Sequence, residues 1–156
     1  MSQTSHEIEV NRPVNTVYNQ WTQFEEFPRF MEGVEEVRQM GDDRLHWVAS
    51  IGGQRKEWDA RIVDQQPDQR IAWQAESGTR NDGVVTFSSL GPDQTRVSLD
   101  IDYEPEGMGE TVGDWLGILS GRIQGDLERF KTFVEQQPQE TGGWRGEISD
   151  RGREVA

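Results

Sequence analysis

No cysteine occurs among the 156 residues, which excludes disulfides and thiolate chemistry. Histidine is nearly absent as well: His6 and His46 are the only two, on separate segments, so a metal site would have to draw on carboxylates. Lysine is limited to Lys56 and Lys131. With 16 basic against 29 acidic side chains the net charge is −13, which repels a nucleic-acid backbone and leaves few cations to release its counterions. No apolar run approaches the roughly 18 residues of a membrane helix, and the opening Met1-Ser2-Gln3-Thr4 has neither the basic nor the apolar region of a secretory signal. Gly-x-Ser-x-Gly, P-loop and His-Glu-x-x-His motifs are missing, so hydrolase, nucleotide-binding and zinc-protease readings have no support. These absences predict a cytoplasmic protein with no nucleic-acid partner, no stable membrane insertion, no metal and no cofactor. They leave the oligomeric state open.

Only 32% of the residues are hydrophobic, so folding must be argued from where they fall. Residues 4–10 alternate as a short strand. Arg12-Pro13 then opens a helix with Val14, Val17, Tyr18 and Trp21 on one face, and Asn11 is placed to cap it. A second short helical piece carries Phe24, Phe27, Phe30 and Met31, interrupted at Pro28. From Val34 to Tyr103 turn residues separate a succession of strands, as in an antiparallel meander. The breaks are at Gly41 to Asp43, Gly52-Gly53, Pro67-Asp68, Gly78 to Gly83 and Gly91 to Asp93.

Side chains alternate across a strand. That puts Leu45, Trp47 and Ala49 on one face, with Trp58, Ala60 and Ile62, then Ile71, Trp73 and Ala75, and finally Val85, Phe87, Val97, Leu99, Ile101 and Tyr103. Charged residues such as Glu57, Asp59, Arg61 and Asp100 take the other face, where His46 also falls. His46 therefore reads as an exposed strand histidine in preference to a buried base.

The last element is a helix from about Thr111 to Gln136, with Val112, Leu116, Leu119, Ile123, Leu127, Phe130 and Val134 spaced three or four apart. Gly109, just before it, and Gly113, Gly117, Gly121 and Gly125 within its first half recur at every fourth position, mostly off the apolar stripe. Each interior glycine weakens a helix by roughly 0.8–1 kcal/mol against alanine, so this half is expected to loosen as a gate. A row of tolerated surface glycines is the plainer alternative. Residues 1–137 thus form one domain, and 138–156, Gly-rich and aperiodic with Trp144 alone, a mobile C-terminal tail.

One strand, two short helices, six strands and a long helix make an α+β chain whose antiparallel sheet wraps one C-terminal helix. Trp21, Phe24, Phe27-Pro28, Phe30-Met31, Trp58, Pro67 and Ile71-Ala72-Trp73 add a more specific likeness. So do Gly83 to Phe87, Thr95-Arg96-Val97, Tyr103-Glu104-Pro105 and Gly125 to Lys131. Over residues 4–136 the chain resembles the bacterial polyketide cyclase/dehydrase-like proteins of the START-related, helix-grip (SRPBCC) superfamily, which also holds lipid-transfer proteins. The resemblance implies a curved sheet of about seven strands around the long helix, two short helices after the first strand, and a deep apolar cavity between sheet and helix.

Within that frame Trp47, Trp58, Trp73, Phe87, Leu99, Tyr103, Leu116, Leu119 and Ile123 are expected to line the cavity, large aromatics beside alanines leaving room. A dry packed core is the competing reading. Phe27, Phe30, Arg80, Met108, Gly117 and Gly121 are expected at its mouth or gate, Arg80 to hold an anionic head group. No catalytic motif maps onto the sequence. The leading expectation is binding, with transport or presentation, of a small hydrophobic or amphipathic ligand. A metal-free cyclase or dehydratase using a pocket Tyr or Arg, and an interaction module with a vestigial cavity, are the alternatives.

Overall fold

The computed structural model describes residues 2–41, 43–51, 54–78, 80–104, 112–137, 139–148 and 154–155. Strand β1 (Ser2–Val10) leads to helix α1 (Val14–Trp21) and a 3₁₀ helix (Phe24–Arg29) that contains Pro28. Strands β2 (Val34–Gln39), β3 (Arg44–Ile51), β4 (Gln54–Gln66), β5 (Arg70–Gly78), β6 (Arg80–Gly91) and β7 (Gln94–Glu104) follow, then α2 (Val112–Gln136) and the two-residue strands β8 (Glu147–Ile148) and β9 (Glu154–Val155). The seven long strands form a curled antiparallel sheet in the order β1-β7-β6-β5-β4-β3-β2. The sheet is a half-barrel gripping α2. No helix among the described residues is long and apolar enough to cross a membrane.

The alternation along the strands sets the inner face. Leu45, Ala49, Trp58, Ala60, Ile62, Ile71, Val85, Val97 and Leu99 are buried, and α2 lays Ile123, Leu127, Phe130 and Val134 against them at helical spacing. The short helices close one end with aromatic rings. Trp21 meets Phe130 at 4.9 Å and Phe27 at 5.4 Å, both edge to face, a geometry that adds about 0.5–1.5 kcal/mol per pair beyond simple burial.

Three local expectations give way. Asn11 does not cap α1: Pro13 holds that position in extended conformation with no side-chain bond, and the Asn11 amide instead donates to Glu135 on α2. The stretch from Gly78 to Gly83 is not one long turn, since β5 runs to Gly78 and β6 starts at Arg80. Among the described residues these two strands pair over Arg70–Trp73 with Gly83–Thr86, and beyond that the Asp82 carboxylate accepts the Ala75 amide.

The mobile tail expected from residue 138 is replaced, over residues 139–148, by a docked segment. Gln20 and Thr141 exchange two hydrogen bonds, the Trp144 amide donates to Thr22 Oγ1, and Arg145 reaches both Asn19 and Asp68. Ile148, 1% exposed, pairs with Gln65 on the part of β4 that extends past the end of β3. An uncovered stretch of strand edge and one buried isoleucine hold the segment down.

Candidate functional site: an apolar cavity with one polar corner

Between the concave sheet and α2 lies a cavity of about 110 Å³. Trp47 and Trp58 face each other across β3 and β4, and residues directly opposed on antiparallel strands bring their side chains together. Their rings stack 5.8 Å apart and 6° from parallel. Phe27 leans on Trp47 at 5.6 Å. Trp73 enters from β5, and its ring lies over Gly83: a β-carbon at that position would stand 2.6 Å from Cζ2, so only glycine lets the indole down. Leu99 and Ile101 from β7, with Ile123 and Leu127 from α2, complete the dry part of the wall.

One corner is polar. Gly33, between the 3₁₀ helix and β2, has a φ of +90°, and its carbonyl accepts the Ser50 amide at 2.6 Å. Arg122 of α2 lies over it, Nη1 donating to the Glu32 carbonyl at 2.9 Å and the Ser50 carbonyl at 3.0 Å. One turn on, Asp126 is 8% exposed. Its Oδ1 accepts the Glu32 amide at 3.0 Å and Arg129 Nη2 at 2.5 Å, while Arg129 Nε holds the Phe30 carbonyl. Burial pushes the Asp126 carboxyl up to about 6, against the pull of Arg129. The wall therefore offers a wide apolar surface, one carboxyl that changes charge near neutral pH, and one guanidinium.

The structure brings Trp47, Trp58, Trp73, Leu99, Ile123 and Phe27 to the cavity wall. Phe87 and Phe30 lie elsewhere. Phe87 packs edge-on against Tyr18 at 5.3 Å and Trp21 at 6.2 Å, and Phe30 against Phe130 and Phe133. Nor do the two phenylalanines form a mouth: Phe27 is 2% and Phe30 4% exposed, because the 3₁₀ helix turns both inward. Gly121 sits on the exposed flank of α2, with nothing within 4 Å of an added β-carbon. Met108 lies outside the described residues, as do the surroundings of Gly117 and the side chains of Arg80, Tyr103, Leu116 and Leu119.

His46 is on the outer face, away from the cavity. Its Nδ1 is 2.7 Å from Asp59 and its Nε2 3.1 Å from Glu57, and the Asp59 bond raises the pKa of the imidazole.

Arg122, Asp126 and Gly33 were not singled out as site residues by sequence reasoning. Asp126 did leave a signal, an acid three residues after Ile123 and four before Phe130 on the apolar stripe. Arg122 and Gly33 left none, since 89 positions separate them and only the fold makes them neighbours.

Comparison with known proteins adds to this geometry. A model of the family described as polyketide cyclase / dehydrase and lipid transport matches residues 10–132. An uncharacterized 17.2 kDa protein from the melC2-rnhH intergenic region of Streptomyces lincolnensis is 52% identical over 149 residues, covering 95% of this chain and 99% of its own. A START superfamily protein from Mycobacterium smegmatis shares the fold with a TM-score of 0.79 at 16% identity, over 87% of this chain and 99% of its own. The Zhui aromatase/cyclase from Streptomyces sp. R1128 does so with a TM-score of 0.74 at 17% identity, over 91% of this chain and 98% of its own. At such identities the solved structures speak for the START-like helix-grip fold alone.

Proposed function

The chain belongs to the polyketide cyclase/dehydrase and lipid-transport family, and from that premise we propose that its cavity binds one small apolar or amphipathic molecule for carriage or presentation. The observation that carries this reading is the wall itself: stacked Trp47 and Trp58, with Trp73 and aliphatic side chains from β7 and α2, around an unfilled space. General acid or base catalysis asks for a titratable side chain within hydrogen-bond reach of the reacting group. At the described wall Asp126 is a buried carboxyl whose pKa burial raises.

Size narrows the ligand. An apolar cavity of about 150 Å³ holds benzene, so about 110 Å³ takes a single small ring or a short branched chain after slight side-chain movement. A long acyl chain or a fused-ring system requires the walls to part.

Native mass spectrometry of the protein purified from its own source tests the reading, with Ala49→Leu as control, because Ala49 is buried at the cavity wall. A retained small molecule that is missing from the variant supports it. Protein of bare chain mass, with no small aromatic or branched compound raising its melting temperature, refutes it.

The cyclase or dehydratase reading has one observation in its favour, the Asp126 carboxyl poised at the wall to take or give a proton. Incubating the retained molecule with wild type and Asp126→Asn separates the two. A binding protein returns it unchanged from both, whereas an enzyme converts it and loses that conversion in the variant.

A further inference from the structure

The polar corner carries more charge than it uses. Two guanidinium groups, Arg122 and Arg129, meet one carboxylate, Asp126, and Arg129 is the one that pairs with it, at 2.5 Å. Among the described residues Arg122 has no carboxylate within 4.0 Å, in a chain whose net charge is −13. Among the described residues its hydrogen bonds are both made by Nη1, to the carbonyls of Glu32 and Ser50. These two bonds fix the guanidinium plane and leave Nη2 and Nε as a fork with a matching partner in any carboxylate. Because the protein has already ordered the side chain, little rotamer entropy remains to be lost when a ligand docks.

We propose that Arg122 is the docking point for a carboxylate, so that the ligand is a compact amphipath: one ring or a short branched chain bearing one carboxylate group. The inference rests on the cavity-binding reading and adds the ligand's chemical class to it. Apolar walls and volume set the body of the molecule, and the unmatched guanidinium sets its head. Asp126 feels the Arg122 charge but makes its hydrogen bonds to Arg129 and the Glu32 amide. A neutral analogue of equal shape fills the same space but leaves the guanidinium without its counter-charge.

Isothermal titration at pH 7 with two probes of one carbon skeleton, phenylacetate and 2-phenylethanol, tests the proposal on wild type and Arg122→Gln. Wild type should bind the acid about tenfold or more tightly than the alcohol, a difference of about 1.4 kcal/mol, and the preference should weaken with added salt. Arg122→Gln should lose the preference for the acid, binding the two probes within about twofold of each other. The alcohol also reports whether the variant folds; should it fail to, the wild-type ratio and its salt dependence decide. Equal binding of acid and alcohol by wild type overturns the inference and leaves the cavity-binding reading standing. Binding of neither probe overturns both.

Discussion

Arg122 occupies the space that a side chain on Gly33 would need: an added β-carbon would stand 1.7 Å from Nη1. The φ of +90° at Gly33 and the guanidinium above it are two sides of one arrangement, which ties α2 to the start of β2 and the end of β3. Gly33→Ala therefore meets a left-handed backbone, the Ser50 carbonyl at 2.7 Å and the Arg122 side chain together. Chemical denaturation should show a loss of roughly 2 kcal/mol or more. A change within about 0.5 kcal/mol would mean that the corner rearranges freely.

Gly121→Ala should move stability the other way. Nothing lies within 4 Å of the new methyl group and the site is on the exposed flank of α2, so a gain of about 0.8–1 kcal/mol is expected. The urea midpoint reads it; a loss would mean that the glycine serves a contact made only with ligand or partner bound.

Deleting residues 139–156 should cost roughly 2–4 kcal/mol, from the burial of Ile148 and the hydrogen bonds that tie the segment to α1. The same deletion removes two causes of lowered carboxyl pKa values, the Thr141 bond to Glu26 and the whole of Glu140, held low by Asn19. Groups lowered in the fold stabilise it above their unfolded pKa, near 4.5, and that contribution fades as pH falls. The truncated protein should thus lose less stability on acidification below about pH 4.5 than the full chain does. An unchanged melting temperature would return this segment to a mobile tail.

Asp126 gives a pH dependence of opposite sign. Its carboxyl goes from an ordinary value of 3.8 up to about 6 in the fold, so the folded state holds a proton that the unfolded chain releases. Stability from this group is greatest below pH 3.8 and is lost as pH rises to about 6, by roughly 2–3 kcal/mol. Asp126→Asn should flatten the stability profile between pH 4 and 7. His46 adds a loss at higher pH, since the imidazole is raised above 6.5 chiefly by Asp59, and His46→Gln should remove that part alone. A profile unchanged in Asp126→Asn would mean that Arg129 keeps the carboxylate ionised throughout.

The sheet and α2 were legible in the sequence because their signals are periodic. Trp47, Trp58 and Trp73 each fall on the apolar alternation of their own strand, and Ile123, Leu127, Phe130 and Val134 share a helical face, so each declared its inner side locally. What stayed hidden depends on meetings across the chain. Arg122 needs the carbonyls of Glu32 and Ser50, Ile148 needs the free edge of β4 at Gln65, and Phe87 leaves the cavity wall because Tyr18 and Trp21 crowd it at the closed end. Periodicity likewise placed Gly121 on the exposed side of α2, where open space surrounds it.

The indole resonances of the tryptophans in a ¹⁵N-labelled sample, followed while 2-phenylethanol is titrated in, test most directly whether the cavity is a binding site. Trp47, Trp58 and Trp73 stand at the cavity wall, whereas Trp144 lies in the docked segment beside α1 and serves as the internal control. The signals of Trp47, Trp58 and Trp73 should shift together and saturably, with Trp144 unmoved and the melting temperature raised. Signals that stay still at saturating probe, or a response confined to Trp144, would contradict a ligand-binding cavity.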